Sequence, residues 1–197
     1  METYLALGDS YTIGEGVPLY ESFPYQTVQL LRKSGISFHA PEIIAKTGWT
    51  TDELMAGIAA TKLLPAYDRV TLLIGVNNQY RGRSVHEYQH EFEVLLKQAI
   101  AFAGSKAQHV IALSIPDWGV TPFAADRDTA KIAQEIDAYN AVNKKLSLQY
   151  KVNYIDITPG TRSSANDESF LAADKLHPSG KEYARWAEQV YKILSSL

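Results

Sequence analysis

Ser10, His177 and Asp174 are the residue types that acyl transfer through a serine requires, and each stands in a setting that suits its part. Ser10 closes Gly8-Asp9-Ser10, a sharp turn after the first apolar run, which presents a hydroxyl where a strand stops. Such a hydroxyl is a poor nucleophile unless a base takes its proton during attack, and a neutral imidazole, with a reference pKa of ~6.5, does this near neutrality. His177 is the candidate base. Asp174, three residues earlier in the same loop, is placed to accept a hydrogen bond from the other ring nitrogen and so fix the tautomer. The oxyanion needs donors too: the backbone N–H groups of Ser10 and Gly48 and the side-chain amide of Asn77 are the candidates. One such donor is worth about 2.7–4 kcal/mol of barrier. Each of these residues alone is more often an ordinary turn residue, so the reading depends on the fold bringing them together.

Other side chains compete for attention. His86-Glu87-Tyr88-Gln89-His90 spells the H-E-x-x-H pattern of zinc peptidases. At helical spacing, however, both histidines fall opposite Tyr88, Phe92 and Leu95, Glu87 is placed to cap the helix with Ser84, and no third ligand is evident. No metal is expected there. Arg81 and Arg83, just past Asn77, could meet an anionic substrate group but read more simply as solvated loop residues. Trp118 and Phe123 suit either the wall of an acyl or sugar subsite or apolar anchors for a loop.

The elements that must position these residues alternate along the chain. Tyr4 to Leu7, Val70 to Ile74, Val110 to Leu113 and Val152 to Ile157 are apolar runs suited to strands buried on both faces. Phe38 to Ala45 reads as another strand, placed at a sheet edge because Pro41 cannot donate to a ladder. Helices are predicted between them. One starts at Ser22 with Pro24 in its first turn and ends at Gly35, and another opens with the Thr50–Glu53 capping box and is stopped by Pro65. Ser84–Glu87 opens a third, with Tyr88, Phe92, Leu95, Leu96 and Ala99 on one face. A fourth carries Ile132, Ile136, Tyr139, Val142 and Leu146, and the last, opened by a Ser179–Glu182 box, carries Tyr183, Ala187, Val190, Tyr191 and Leu194. The segments after Ser10, from Ser114 to Asp128 and from Thr158 to Pro178 read as irregular, and the long Ser114–Asp128 connection is expected to wall a pocket. This alternation predicts a five-stranded parallel sheet between helix layers, an α/β/α sandwich. In such sheets ligands bind at the carboxyl ends of strands, where Ser10, Gly48, Asn77, Asp174 and His177 all fall.

Composition narrows the partners. The 197 residues fit one domain, 1–197, with enough apolar sequence for a sizeable core. A net charge of -3, with basic and acidic residues interspersed, argues against nucleic acid. The absence of cysteine excludes disulfides and thiolate chemistry. There is no apolar run of membrane-spanning length and no signal-like start, so a cytoplasmic protein is expected, exported only if a leader has been cleaved away.

Gly8-Asp9-Ser10, Gly48, Gly75-Val76-Asn77 and Asp174-Lys175-Leu176-His177 also resemble, in order and over nearly the whole chain, the four sequence blocks of the SGNH (GDSL-type) hydrolases. The resemblance implies the flavodoxin-like SGNH fold and an esterase or deacylase that needs neither metal nor cofactor. In it Ser10, Asp174 and His177 form the triad, and Ser10, Gly48 and Asn77 the oxyanion hole. Tyr11 departs from the leucine of the GDSL string, and Asn78 stands where the third block often has aspartate. No Gly-x-Ser-x-Gly elbow is present, which disfavours the α/β-hydrolase alternative. Expected substrates are small-molecule, carbohydrate or lipid esters, with short-chain or acetyl esters leading. A lysophospholipase or thioesterase is the alternative within this chemistry, and a catalytically silent binding module on the same fold is the alternative outside it.

Overall fold

Five strands form one parallel sheet in the order β2-β1-β3-β4-β5 in the computed structural model, which describes residues 1–197. They are β1 (Tyr4–Asp9), β2 (Glu42–Lys46), β3 (Arg69–Leu73), β4 (Val110–Leu113) and β5 (Asn153–Ile155). The apolar runs of β1, β3 and β4 are buried along their whole length, as strands covered on both faces must be. Eight helices connect and cover them: α1 (Ser10–Ile13), α2 (Phe23–Lys33), α3 (Thr51–Ala60), α4 (Val76–Tyr80), α5 (Val85–Phe102), α6 (Thr129–Gln149), α7 (Thr158–Ser163) and α8 (Gly180–Leu194). Helix α2 packs along α8, while α5 packs between α3 and α6, which gives the three-layer α/β/α arrangement. No helix is long and apolar enough to cross a membrane.

Register is what assembles the carboxyl edge. Gly8 pairs with Ala45 on one side and with Leu73 on the other, so the chain leaves β1, β2 and β3 at one level. Ser10, Gly48 and Asn77 follow immediately. Gly8 is required by packing, since a Cβ there would sit 2.5 Å from the Leu73 carbonyl oxygen.

Several local expectations need correction. Ser10 does not enter an irregular segment but begins α1, because Asp9 caps it by accepting the Tyr11 N–H at 3.0 Å and Gly14, at φ 78°, ends it one turn later. Strand β2 is the edge strand, yet it starts only after Pro41; Phe38 is joined to Glu2 by an isolated bridge. Strand β5 stops at Ile155 because the Ser114 hydroxyl takes the Ile157 N–H at 2.8 Å and the Thr158 N–H at 3.2 Å, turning the chain into α7. Helix α3 ends at Ala60, before Pro65 is reached. In the Thr50–Glu53 box the Glu53 carboxylate accepts the Thr50 N–H at 2.9 Å. At Ser84 only the hydroxyl half forms, accepting the Glu87 N–H at 3.1 Å. The Ser179–Glu182 box does not form: Ser179 Oγ donates to the Ser169 carbonyl at 2.7 Å, and the Trp186 indole N–H donates to the buried Glu182 at 2.9 Å.

Candidate active site

Ser10 stands as the first residue of α1, its side chain at the mouth of a cleft and the residue only 3% exposed. The loop after β5 brings the other groups to it. Asp174 Oδ1 accepts the N–H of Leu176 at 3.0 Å and of His177 at 2.9 Å, a side-chain-closed turn that folds the chain back on itself. The Ala172 N–H then donates to the His177 carbonyl at 2.8 Å and locks the loop. In this turn Lys175 takes a left-handed φ of 61°.

The turn leaves Asp174 Oδ2 2.6 Å from His177 Nδ1, and His177 Nε2 2.9 Å from Ser10 Oγ. With Nδ1–H directed at Asp174, Nε2 keeps its lone pair for the Ser10 hydroxyl. Partial burial opposes ionisation of Asp174, but the hydrogen bonds it accepts from the His177 ring and from the two backbone N–H groups outweigh this and hold its carboxyl below the ordinary range. The imidazole also lies against the Tyr11 ring, with centroids 5.0 Å apart.

Opposite the histidine, Gly48 sits in a tight turn at φ 83°, and its N–H donates to no group in the protein. Asn77, on the first turn of α4, donates from Nδ2 to the Trp49 carbonyl at 3.0 Å, while the Asp9 carboxylate is 3.5 Å away. An amide nitrogen carries two hydrogens, and the one in the long 3.5 Å bond to Asp9 is the one a ligand oxygen can take over. Asp9 itself is fully buried, and desolvation pushes its pKa up to about 7.

These groups line a cleft of about 180 Å³ whose remaining wall is apolar and aromatic: Val76, Tyr80, Trp118, Phe123 and Leu176. Trp118 and Phe123 therefore face the cleft, and Tyr80 packs edge-on to Trp118 at 5.3 Å. Trp118 is held from behind by Gln79, which accepts its indole N–H at 2.7 Å and itself donates to Glu135 at 2.8 Å. Sequence reasoning missed Asp9, Tyr80, Leu176 and Gln79. Asp9 and Leu176 stood inside the sequence motifs without a role of their own, Tyr80 lies one helical turn past Asn77, and Gln79 carried no local signal.

Other candidates have different employment. Arg83 is paired with Asp52 at 2.6 Å, and Arg81 donates to the Gly48 carbonyl at 2.6 Å, so neither is a free loop cation. Asn78 is buried and ties α4 to α3, accepting the Thr51 N–H at 3.1 Å. His86 and His90 lie exposed on α5, on the face away from buried Tyr88.

A parallel sheet of this order, with a serine, a histidine and an aspartate in series over its carboxyl edge, places the protein among α/β/α hydrolase folds. Solved structures of similar shape include a lipase/acylhydrolase from Enterococcus faecalis (TM-score 0.78, 20% identity, covering 100% of this chain and 96% of that one). TesA aligns with a TM-score of 0.76 at 19% identity over 99% of both chains. An acetylxylan esterase from Geobacillus stearothermophilus aligns with a TM-score of 0.77 at 17% identity, over 98% of this chain and 94% of that one. No curated protein sequence matches the chain. The model of the GDSL-like lipase/acylhydrolase family matches residues 6–185; the chain belongs to this family and is, by class, a carboxylic ester hydrolase.

Proposed function

We propose that the protein hydrolyses short-chain acyl esters, acetyl esters foremost, through an acyl-enzyme on Ser10. The observation that carries this is the hydrogen-bonded series Asp174–His177–Ser10, at 2.6 and 2.9 Å. Ser10 Oγ attacks the acyl carbonyl while His177 Nε2 takes its proton, and Asp174 stabilises the imidazolium. Negative charge on the carbonyl oxygen is met by the N–H groups of Ser10 and Gly48 and by the second Asn77 hydrogen. His177 then returns the proton to the departing alkoxide. In the second half it deprotonates a water that attacks the acyl carbonyl, and the Ser10 alkoxide leaves with that proton, freeing the acid.

The short acyl preference is supported by volume. Beyond the wall shared by Tyr11, Trp118 and Leu176 the adjoining cavity holds only about 30 Å³, too little to take up several methylenes of an acyl chain. An acetylxylan esterase among the similar structures supports the same direction. The test is a series of p-nitrophenyl esters from acetate to palmitate, with Ser10→Ala as control. Rates should fall beyond butyrate and vanish in Ser10→Ala. A preference for long chains would replace the acetyl reading with a lipid deacylase, and no Ser10-dependent turnover of any ester would leave a silent binding module.

A further inference from the structure

We propose that Arg81 is a positioning residue that holds the turn bearing one oxyanion donor, Gly48, against the helix bearing another, Asn77; the inference rests on the ester-hydrolase reading above.

Lys46, Thr47, Gly48 and Trp49 form a turn closed by the Trp49 N–H on the Lys46 carbonyl at 3.2 Å, with Gly48 at φ 83° in the third position, the type II pattern. Types I and II differ by rotation of the central peptide, here Thr47–Gly48, and that peptide carries the Gly48 N–H. Glycine takes the positive φ of the type II form without strain, which directs this N–H; what remains to be fixed is where the turn as a whole sits against α4. The Gly48 carbonyl has one hydrogen-bond partner in the protein, Arg81 Nη2 at 2.6 Å. Held at its N–H by Lys46 and at its oxygen by Arg81, the Gly48–Trp49 peptide ties the turn that carries Gly48 to the end of α4, which fixes where this donor stands relative to Asn77.

The arginine is itself rooted at the end of the helix that carries the second donor. Its N–H donates to the Asn77 carbonyl at 3.0 Å and closes the short helix α4 on which Asn77 stands. Glu53 in turn fixes the guanidinium, with Oε1 3.3 Å from Nη1 and Oε2 3.3 Å from Nη2. Arg81 does not line the cleft, so it acts through the placement of Gly48 beside α4 and not on the substrate. The planar fork of a guanidinium suits this double duty toward one carbonyl and one carboxylate.

The experiment compares wild type, Arg81→Met, Arg81→Lys, Glu53→Gln and Ser10→Ala on p-nitrophenyl acetate. Alongside turnover it measures inhibition by phenylboronic acid, whose tetrahedral serine adduct occupies the oxyanion site. Arg81→Met should lower kcat on the order of tenfold or more, below the 10²–10³ of losing a donor outright, with KM nearly unchanged. It should weaken the boronate by a similar factor. Arg81→Lys should recover part of both. Glu53→Gln, which keeps the cap on Thr50 while losing the ion pair, should shift kcat and boronate affinity the same way by a smaller factor. Unchanged kcat and boronate affinity in folded Arg81→Met overturn the inference, as does a rise in KM alone. If Arg81→Met fails to fold, an unchanged Glu53→Gln overturns it. Turnover that persists in Ser10→Ala overturns the functional reading instead.

Discussion

Asp174 grips His177 at two points, accepting the ring Nδ1–H on Oδ2 at 2.6 Å and the backbone N–H on Oδ1 at 2.9 Å. One oxygen thus shapes the loop and the other orients the imidazole. Asp174→Asn separates these duties. The amide oxygen still accepts the Leu176 and His177 N–H groups, so the melting temperature should hardly move. The amide NH₂, however, faces Nδ1 and forces the proton to Nε2, where it blocks proton transfer from Ser10. A fall in kcat of roughly 10³–10⁴ is expected on an acetate ester. A variant within threefold of wild type would remove Asp174 from the mechanism.

The aromatic wall depends on a buried amide. Gln79, 5% exposed, accepts the Trp118 indole N–H at 2.7 Å, and Gln79→Leu leaves that donor without a partner. Loss of about 1–3 kcal/mol in urea denaturation is expected. Because Trp118 lines the cleft without touching the proton-transfer groups, KM should rise several-fold while kcat changes little. A change confined to kcat would contradict this placement.

The strands were readable because two-sided burial leaves continuous apolar runs, and glycines 8 and 75 mark where β1 and β3 deliver their loops. Pro41 correctly signalled the edge, though it delayed the strand it marked. Helices α1, α4 and α7 were invisible, since a single turn or so shows no periodicity and depends on caps and neighbours. Ser10, Gly48, Asn77, Asp174 and His177 could be nominated by type and placed at one edge by topology. The partners of Arg81 and Gln79 could not, because these bonds join residues 33 and 39 apart and no local pattern encodes them. Helix α6 teaches the same lesson: its buried face includes Asn140 and Asn143, which serve Ile115 and Leu113 on the next layer, where an apolar stripe alone was expected.

Gly75 lies at φ 133° just before α4, and a Cβ there would come 2.7 Å from the buried Tyr88 ring. That ring is stacked on Tyr139 at 4.5 Å and its hydroxyl donates to the Ile74 carbonyl at 3.1 Å, so it has nowhere to retreat. Gly75→Ala combines backbone strain with overpacking and should destabilise by about 2–4 kcal/mol. Since the Gly75 carbonyl accepts the Gln79 N–H in the first turn of α4, kcat should fall as well through displacement of Asn77. An unchanged melting temperature would show that the loop absorbs the methyl group.

Asp9 makes stability depend on pH in a definite direction. Burial raises its carboxyl from 3.8 to about 7, so between these values the folded protein holds a proton that the unfolded chain has released. Stability from this group is therefore complete below about pH 4 and lost as pH rises through 7, on the order of a few kcal/mol in total. Asp174 has the opposite sign in a different window: its lowered carboxyl contributes above its ordinary 3.8 and is lost as pH falls below that value. Asp9→Asn keeps an oxygen for the Tyr11 N–H and removes the titration. Thermal melts from pH 4 to 8 should show wild type losing stability relative to Asp9→Asn as pH rises, with most of the divergence complete by pH 7.5. Parallel curves across this range would mean that Asp9 is ionised in the folded protein throughout, with its charge compensated.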